Sequence, residues 1–277
     1  MKPLIPHCSI LGESPLWDSA QDILWWVDIK SKQIHQYSEG KHQIHSLSIR
    51  PSALGCTASS QLIVAGDNAI YLYDPQSQEL TLHTAVPEPS TNRCNDGKIG
   101  PDGAFWFGTM DDSEQSATGV LYSLHPERGL KKHLEEIGIS NTFAWSPCAQ
   151  KMYFADSAAQ TIWVMAFDLE TGTLGEREIF VSLKGTEFYP DGSAMDAEGC
   201  LWNAQWGGSR VVRYSASGEI LQILELPTSQ PTSCAFVKDH LMVTTASIGL
   251  TGEVSAGQTF LIPVGVEGMS VSSISIS

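Results

Sequence analysis

The sequence has few basic residues. Only 16 lysines and arginines stand against 31 aspartates and glutamates, which gives a formal net charge of −15 in a chain of 277 residues. Because phosphate binding depends on clusters of lysine and arginine, this balance argues against nucleic acid as a partner. It also argues against attachment to an anionic membrane surface. The acidity otherwise indicates only a soluble protein.

Long apolar runs are also missing. No segment approaches the roughly 18 continuous apolar residues of a membrane-spanning helix. The first 12 residues contain an apolar stretch that is interrupted by Pro3, Pro6 and His7, so it is too short and too broken for a secretory signal. We therefore expect a cytoplasmic protein that does not bind a membrane.

The cysteines are scattered. No two of the six are close enough to form a C-x-x-C pair, which argues against a zinc ribbon or a thioredoxin-type motif. Their distribution over a large chain fits reduced thiols better than disulfides. Cys94 lies in a polar cluster, but no histidine is near it in sequence, so we interpret it as a small filler residue. A G-x-S-x-G elbow is absent, which argues against a serine hydrolase.

Short apolar segments separated by turn sequences recur along the chain. Each of six segments begins with a polar residue and continues with a short strand, a turn and a second aromatic or aliphatic strand. The openings recur every 39 to 50 residues, a period typical of β-propellers. No long amphipathic helix is predicted between the strands, so a parallel α/β fold is not expected. We predict one all-β domain over residues 1–277, a six-bladed β-propeller.

Three local predictions follow from the same pattern. Residues 105–110 are rich in strand formers and predict a buried strand, with residues 92–96 at the entry to a short hairpin. Residues 260–266 are expected to complete the last blade. The residues before Gly12 are expected to pair with that blade and close the ring, because an open strand edge invites aggregation.

A polar residue occupies the same position at the opening of every predicted blade. These residues are Glu13, Ser52, Asn95, Asn141, Asp191 and Thr232. Since the first strand of each blade lines the central channel, their side chains are expected to converge there. Two facing carboxylates would be costly without a counter-charge. Oxygen ligands of this kind suit a divalent cation, so we predict a central metal site at Glu13, Asn141 and Asp191. A water-filled channel in a scaffold protein is the alternative.

Six motifs carry a resemblance to a known family. They lie at residues 12–17, 92–98, 108–110, 140–146, 190–192 and 201–214. In these motifs the sequence resembles the SMP-30/gluconolactonase family of regucalcin-like lactonases, in the same order and over nearly the whole chain. The resemblance implies a six-bladed propeller that hydrolyses sugar lactones to aldonic acids. It also implies one divalent cation, which in the family is Ca²⁺, Zn²⁺, Mn²⁺ or Fe²⁺.

The resemblance assigns roles to five residues. Glu13, Asn141 and Asp191 match the family's metal ligands, and Asp191 also matches its proposed general acid or base. A hydroxide bound to the metal is the competing base. Arg93 and Asn95 match the pair that contacts the substrate.

Two positions depart from the family pattern. The family has a further carboxylate that contacts sugar hydroxyls, and Ser113 stands at its place in this sequence. We assign this contact to Asp111, with Asp112 and Glu114 as alternatives. Thr142 stands where the family more often has glycine, which predicts a narrower pocket.

Other functions are possible on the same fold. An ester or organophosphate hydrolase of paraoxonase-like type would have an apolar channel rim, whereas Arg93 and Asn95 favour a polyhydroxylated sugar lactone. A non-enzymatic calcium-binding regulatory protein would bind the metal without turning over a lactone. Trp206 follows its predicted strand and is a candidate for stacking on a sugar ring. His42 and His45 are interpreted as part of a solvated face rather than as metal ligands.

Overall fold

The strands of the protein form a closed ring of six sheets. The computed structural model describes residues 1–269 and 272–276, and in this part of the chain it contains 24 strands and no helix. All six sheets are antiparallel, with three to five strands each. The inner strand of each sheet contacts the inner strands of the two neighbouring sheets, and the last contacts the first. This arrangement is a six-bladed β-propeller and confirms the predicted fold.

Each of the first three blades contains four strands, which are numbered from the inner strand outwards. Blade 1 comprises β1 Gly12–Asp18, β2 Ile23–Asp28, β3 Gln33–Ser38 and β4 Lys41–Ser46. Blade 2 comprises β5 Pro51–Cys56, β6 Leu62–Gly66, β7 Ala69–Asp74 and β8 Glu79–Ala85. Blade 3 comprises β9 Asn92–Ile99, β10 Phe105–Asp111, β11 Gly119–His125 and β12 Gly129–Ile137.

The other three blades differ in strand number. Blade 4 comprises β13 Ser140–Trp145, β14 Lys151–Asp156, β15 Thr161–Asp168, β16 Thr173–Leu174 and β17 Glu178–Ser182, and both β16 and β17 pair with β15. Blade 5 comprises β18 Tyr189–Met195, β19 Leu201–Trp206, β20 Arg210–Tyr214 and β21 Ile220–Glu225. Blade 6 comprises β22 Pro231–Val237, β23 His240–Thr245 and β24 Phe260–Pro263. Among the described residues, none forms a helix that is long and apolar enough to cross a membrane.

The polar segment at residues 92–96 is an inner strand. The predicted strand at 105–110 is confirmed as β10, and residues 92–96 form the first part of β9, the strand that enters the hairpin with β10. In the pairing of β9 with β10, Asn92 lies opposite Asp111 and Ile99 lies opposite Phe105. Polar residues usually mark strand ends. In this strand the polar side chains are buried inside the propeller, which the local pattern does not show.

The amino-terminal segment bonds to blade 6, as predicted, but it does so through separate backbone hydrogen bonds and not as a strand. The backbone N–H of Leu4 donates to Thr259 O and that of Ser9 donates to Gly257 O, both at 2.8 Å. These acceptors lie just before β24, which supplies the third strand of blade 6 as expected. Residues before Gly12 form no fourth strand in the described structure. Pro3 and Pro6 have no N–H to donate, so a continuous ladder cannot form there.

The carboxy-terminal segment contacts two further blades. Gly268 bridges to Asp196 in blade 5, where the N–H of Met269 donates to Met195 O at 3.1 Å. Ile274 pairs with Thr57 in blade 2 and is fully buried. The described parts of this segment therefore join two blades that lie on opposite sides of the ring.

Large aromatic side chains fill the layers between adjacent blades. Trp106 of blade 3 packs edge-on against Trp145 and Phe167 of blade 4, with ring centroids 6.2 and 5.7 Å apart. Burial of a single phenylalanine contributes about 1.5–3 kcal/mol, so such contacts stabilise the ring. Five of the eight tryptophans are less than 9% exposed and belong to the core: Trp25, Trp26, Trp106, Trp145 and Trp202.

Two histidines are not on a solvated face. His45 is 5% exposed, and its ring bonds the hydroxyl of Tyr73 at 2.9 Å. His42 Nε2 lies 2.9 Å from Nδ1 of the buried His35, and both rings stack on Trp26. The prediction was wrong because neighbouring strands and the amino-terminal segment cover this part of blade 1.

Candidate active site

Every inner strand contains a β-bulge at its opening residue. In β1 the register with β2 shifts between Glu13 and Leu16, and in β18 the register with β19 shifts between Pro190 and Ser193. Equivalent shifts occur in the other four inner strands. Each adds one residue to the inner strand. Because a bulge bends the strand and redirects nearby side chains, it can turn polar groups of a buried strand towards the channel.

Four of the six opening residues line one cavity of about 550 Å³: Glu13, Asn95, Asn141 and Asp191. The other two do not line it. The hydroxyl of Ser52 donates to Ala65 O at 3.1 Å, and that of Thr232 donates to Gly12 O at 2.5 Å. Both hydroxyls therefore donate to backbone carbonyls. The opening residues of blades 2 and 6 stabilise the fold and do not contribute ligands to this cavity.

Asp191 carries an unsatisfied oxygen. Its side chain is 6% exposed, and its buried Oδ1 makes no hydrogen bond in the described structure. Burial raises the pKa of Asp191 well above its usual range, and the nearby carboxylates of Glu13 and Asp96 raise it further. A buried acceptor without a partner is costly. The charged form of Asp191 therefore requires a positive partner in this cavity.

Glu13 has the same requirement. Burial, followed by the Asp96 carboxylate, raises the pKa of Glu13 to about 8. The backbone N–H of Ser14 donates to Glu13 Oε2 at 3.1 Å and offsets part of this effect. Two buried acids that disfavour each other's ionisation can both be charged when a cation lies between them.

Asn141 is oriented by its neighbour. Its Nδ2 donates to Ser157 Oγ at 2.8 Å, and Ser157 Oγ donates to Pro190 O at 2.6 Å. With the amide nitrogen held in this way, Oδ1 is the atom available to a cation. No cluster of three or more His, Cys, Asp or Glu side chains that could bind a metal occurs in residues 1–269 and 272–276. The candidate set instead has two carboxylates and one amide, which fits a hard divalent ion.

Arg93 is buried and held in place by hydrogen bonds. Its Nε donates to Asp112 Oδ1 at 2.9 Å, and its Nη1 donates to Asn95 Oδ1 at 2.7 Å. Asp112 also accepts from Arg50 at 2.8 Å. Arg93 lines the cavity, so these bonds fix a guanidinium beside the two carboxylates. Such a group can orient a carbonyl or hydroxyl of a bound molecule.

The carboxylates after β10 have separate positions. Asp111 accepts from the hydroxyl of Ser113 and from the backbone N–H groups of Gln115 and Ser116, so it caps its own loop and is not among the residues that line the cavity. Asp112 pairs with Arg93. Glu114 lines the cavity. The structure therefore brings Glu114, rather than Asp111, to the ligand-accessible space.

Thr142 is directed away from the cavity. It has a φ of +56°, which is rare for a β-branched residue. Its hydroxyl donates to Asp191 O at 2.5 Å and contacts Ser193 Oγ at 2.9 Å, so it joins blade 4 to blade 5 behind the site. Thr142 is fully buried and does not line the cavity. It supports the strand that carries Asp191 instead of narrowing the pocket.

The mouth of the cavity has aromatic and charged walls. Trp206 lines it together with Tyr189, which is 41% exposed, and with Lys30. Lys30 and the Tyr189 ring were not identified as candidates from the sequence, because each lies on a turn or at a strand start without a distinctive motif. The family-derived residues Glu13, Asn141, Asp191, Arg93 and Asn95 all line the same space.

Comparison with known proteins decides the family. A family model described as SMP-30/Gluconolactonase/LRE-like region matches residues 11–247. The chain belongs to this family. The chain is similar to a regucalcin from Bos taurus, with 33% identity over 95% of this chain and 93% of the relative. A putative sugar lactone lactonase from Rhizobium meliloti is 31% identical over 96% of this chain and 94% of the relative.

A solved structure agrees with this assignment. The crystal structure of a calcium-binding protein, regucalcin, from Agrobacterium tumefaciens is 31% identical and has a TM-score of 0.94. The similarity covers 98% of this chain and 96% of that chain. The resemblance seen in the sequence motifs is thereby confirmed for the family and for the propeller fold.

Proposed function

We propose that this protein hydrolyses a sugar lactone to the aldonic acid, with one divalent cation bound by Glu13, Asn141 and Asp191. The observation that carries the proposal is the buried, unpaired Oδ1 of Asp191 in the same cavity as Glu13. Membership of a family that includes a putative sugar lactone lactonase supports the reaction class. When bound, a divalent cation would polarise the lactone carbonyl and stabilise negative charge on its oxygen.

The side chains of this protein would position the lactone. Arg93 presents a fixed guanidinium to the cavity, and Asn95 lies beside it with its own amide bonded to blade 4. Holding the carbonyl and hydroxyls in one orientation removes much of the entropic barrier to attack. Trp206 and Tyr189 offer flat apolar faces for a sugar ring, and the Glu114 carboxylate offers an acceptor for its hydroxyls.

Asp191 is the proposed proton carrier. If one oxygen of the Asp191 carboxylate bound the cation, the other oxygen would accept the proton from the attacking water. The same proton would then pass to the ring oxygen as the C–O bond breaks.

Two rival functions make different predictions. A paraoxonase-like hydrolase of apolar esters fits less well, because Lys30, Arg93 and Glu114 place charges on the cavity wall. A calcium-binding regulatory role is favoured by the similarity to a calcium-binding protein. Binding of a metal without turnover of any lactone would support that role.

The proposed setting is a single domain in the cytoplasm. All six cysteines are free, which fits a reducing compartment. The substrate on this proposal is a small polyhydroxylated molecule, since the cavity of about 550 Å³ is of the size that binds such ligands.

The test is a metal-by-substrate panel. Chelated protein is assayed for acid release from aldonolactones after addition of Ca²⁺, Zn²⁺, Mn²⁺, Mg²⁺ or Fe²⁺. Turnover is expected only with metal, and Asp191→Ala should lose both metal binding and turnover. Ser52→Ala is the matched control, because Ser52 is an opening residue outside the cavity, and it should keep activity. Full turnover by chelated protein or by Asp191→Ala would refute the proposal.

A further inference from the structure

Three polar side chains lie buried behind the candidate active site. Thr142 comes from β13 of blade 4, and Ser193 and Asn203 come from β18 and β19 of blade 5. Each is at most 1% exposed, and none of the three lines the cavity that contains Glu13 and Asp191. We name these three residues the polar triad. Burying polar groups is costly unless they are hydrogen-bonded, so the contacts that they make indicate their role.

Two members of the polar triad donate to the backbone carbonyl of Asp191. The hydroxyl of Thr142 donates to Asp191 O at 2.5 Å, and Asn203 Nδ2 donates to the same oxygen at 2.9 Å. Asp191 lies in the β-bulge of β18, where the pairing with β19 shifts in register between Pro190 and Ser193. A bulge interrupts the regular ladder of backbone hydrogen bonds. Side chains from two blades therefore hold the carbonyl of Asp191 at the point where the ladder is interrupted.

The hydrogen bonds within the polar triad form one consistent network. Because Thr142 uses its only proton on Asp191 O, the hydroxyl of Ser193 donates to Thr142 Oγ1 at 2.9 Å. Asn203 Nδ2 donates its second N–H to Ser193 Oγ at 3.0 Å. Every donor of the three side chains is thus used. A fully connected network of this kind rigidifies the part of the core in which it lies.

Asn203 leaves one acceptor without a partner. Its Oδ1 is buried and makes no hydrogen bond in the described structure. Such an acceptor is costly, and the adjacent Trp202 and Ala204 of the same strand are apolar and fully buried. Stability alone therefore does not explain an asparagine at this position. Its bonds to Asp191 O and Ser193 Oγ are what distinguish it from an apolar residue.

Thr142 joins the polar triad to the other proposed ligand of blade 4. Its φ of +56° is unfavourable for a β-branched residue, and it directly follows Asn141. Asn141 reaches Pro190 O through Ser157 Oγ. Thr142 reaches the next carbonyl, Asp191 O, directly. Consecutive residues of blade 4 therefore hold consecutive carbonyls of blade 5 at both proposed ligands.

We propose that Asn203 and Thr142 are positioning residues that fix the backbone of Asp191. By doing so they set the distance between the Asp191 carboxylate and the amide of Asn141. The effect on metal binding rests on the proposed function. Removing a group that orients a metal ligand typically changes metal affinity or activity by roughly 10- to 100-fold. The polar triad therefore controls metal affinity and kcat, whereas the residues that orient the lactone control KM.

Two variants remove the donors and a third keeps one of them. Asn203→Leu removes the amide at similar volume, and Thr142→Val removes the hydroxyl but keeps the β-branched shape. Each should weaken metal binding about tenfold and lower kcat at saturating metal by a similar factor, with KM changed by less than about threefold. Thr142→Ser keeps the hydroxyl and should bind metal like the wild type. Calorimetric metal titration and steady-state kinetics measure these effects.

Thr245→Val is the matched control. The Thr245 side chain is fully buried, and its hydroxyl donates to Gln258 O at 2.6 Å, which connects β23 to the segment before β24. The control should bind metal and turn over substrate like the wild type even if its melting temperature falls. If Asn203→Leu does not fold, Thr142→Val still tests the proposal. A folded Thr142→Val that is destabilised like the control but keeps the wild-type metal affinity would overturn the proposal.

Hydrogen exchange separates this inference from the proposed function. In chelated protein, amides of β18 should exchange about tenfold faster in Asn203→Leu and in Thr142→Val than in the wild type, whereas Thr245→Val should leave them unchanged. Unchanged exchange in both variants would refute the positioning role even if the wild type hydrolyses a lactone. Failure of the wild type to bind metal or to hydrolyse any lactone would refute the proposed function, and the exchange rates alone would then decide whether the polar triad holds Asp191.

Discussion

The side-chain amide of Asn95 lies 3.3 Å from the side-chain oxygen of Asn141, with Asn95 Nδ2 as the donor. The same nitrogen donates to Ser140 O at 2.9 Å. Asn95 belongs to blade 3 and Asn141 to blade 4. A residue proposed to contact the substrate thus touches a proposed metal ligand across the boundary between two blades.

Because the two residues have different proposed roles, we predict that removing the side-chain amide of Asn141 and that of Asn95 has different effects. Asn141→Ala removes one of three proposed ligand oxygens, so we expect metal affinity to fall by at least tenfold. Asn95→Ala removes a hydrogen bond to the substrate and should raise KM about tenfold, the equivalent of roughly 1.4 kcal/mol. Its metal affinity should change less than threefold. Calorimetric metal titration and steady-state kinetics measure the two effects, and a reversed pattern would exchange the assigned roles.

Asp112 is predicted to affect substrate binding indirectly, because it holds the side chain of Arg93 in place. Asp112→Asn weakens the ion pair at 2.9 Å that holds the guanidinium, so KM should rise several-fold while kcat changes little. The effect is modest because the Asp112 side chain is 36% exposed and solvent screens the pair.

Asp67→Asn is the matched control for Asp112→Asn. Asp67 accepts from Arg50 Nε at 2.7 Å and makes no hydrogen bond to Arg93. Its KM should stay at the wild-type value. Equal increases in both variants would mean that the whole charge network, and not the position of Arg93, controls binding.

Substitution of Glu114 is predicted to change substrate specificity, whereas substitution of Asp111 is predicted to change stability. Glu114→Gln should change the ranking of lactones in the substrate panel, because a carboxylate that lines the cavity becomes a neutral amide. Its melting temperature should be unchanged. Asp111→Asn should keep the ranking and lower the melting temperature by a few degrees, since the Asp111 carboxylate accepts several bonds within its loop. A changed ranking in Asp111→Asn alone would restore Asp111 as the residue that contacts the sugar.

We predict that the folded protein loses stability in acid because of the buried histidine His35 in blade 1. Burial, followed by the neighbouring rings of His7 and His42, lowers the pKa of His35 to about 3. Between the ordinary histidine pKa of about 6.5 and this value, the unfolded chain binds a proton that the folded protein does not. The stability is therefore complete above about pH 6.5 and falls on acidification, by up to about 1.4 kcal/mol per pH unit.

His35→Phe tests this dependence. Phenylalanine keeps a ring that can stack on Trp26 but does not titrate, so the loss of melting temperature between pH 7 and pH 5 should become smaller. His240→Phe, at the partly exposed start of β23, serves as the control and should leave the slope unchanged. An identical slope in the wild type and in His35→Phe would contradict the assignment of the acid effect to His35.

The sequence by itself determined the architecture. Strand composition and turn residues are local properties, and their recurrence every 39 to 50 residues is enough to predict six blades. The polar opening residues were equally visible, because they recur with the same period as the strands. Roles for Asp191, Arg93 and Asn95 came from the family motifs, since residue type alone does not distinguish a ligand from a buried hydrogen-bonding group.

Only the tertiary structure decided which of these groups meet. Ser52 and Glu13 look alike in the pattern, yet the hydroxyl of Ser52 bonds its own blade while Glu13 lines the cavity. Likewise Glu114 and not Asp111 reaches the cavity. The physical reason is the closed ring: each contact depends on bulge geometry and on side chains from neighbouring blades. Neither is encoded in a local stretch of sequence.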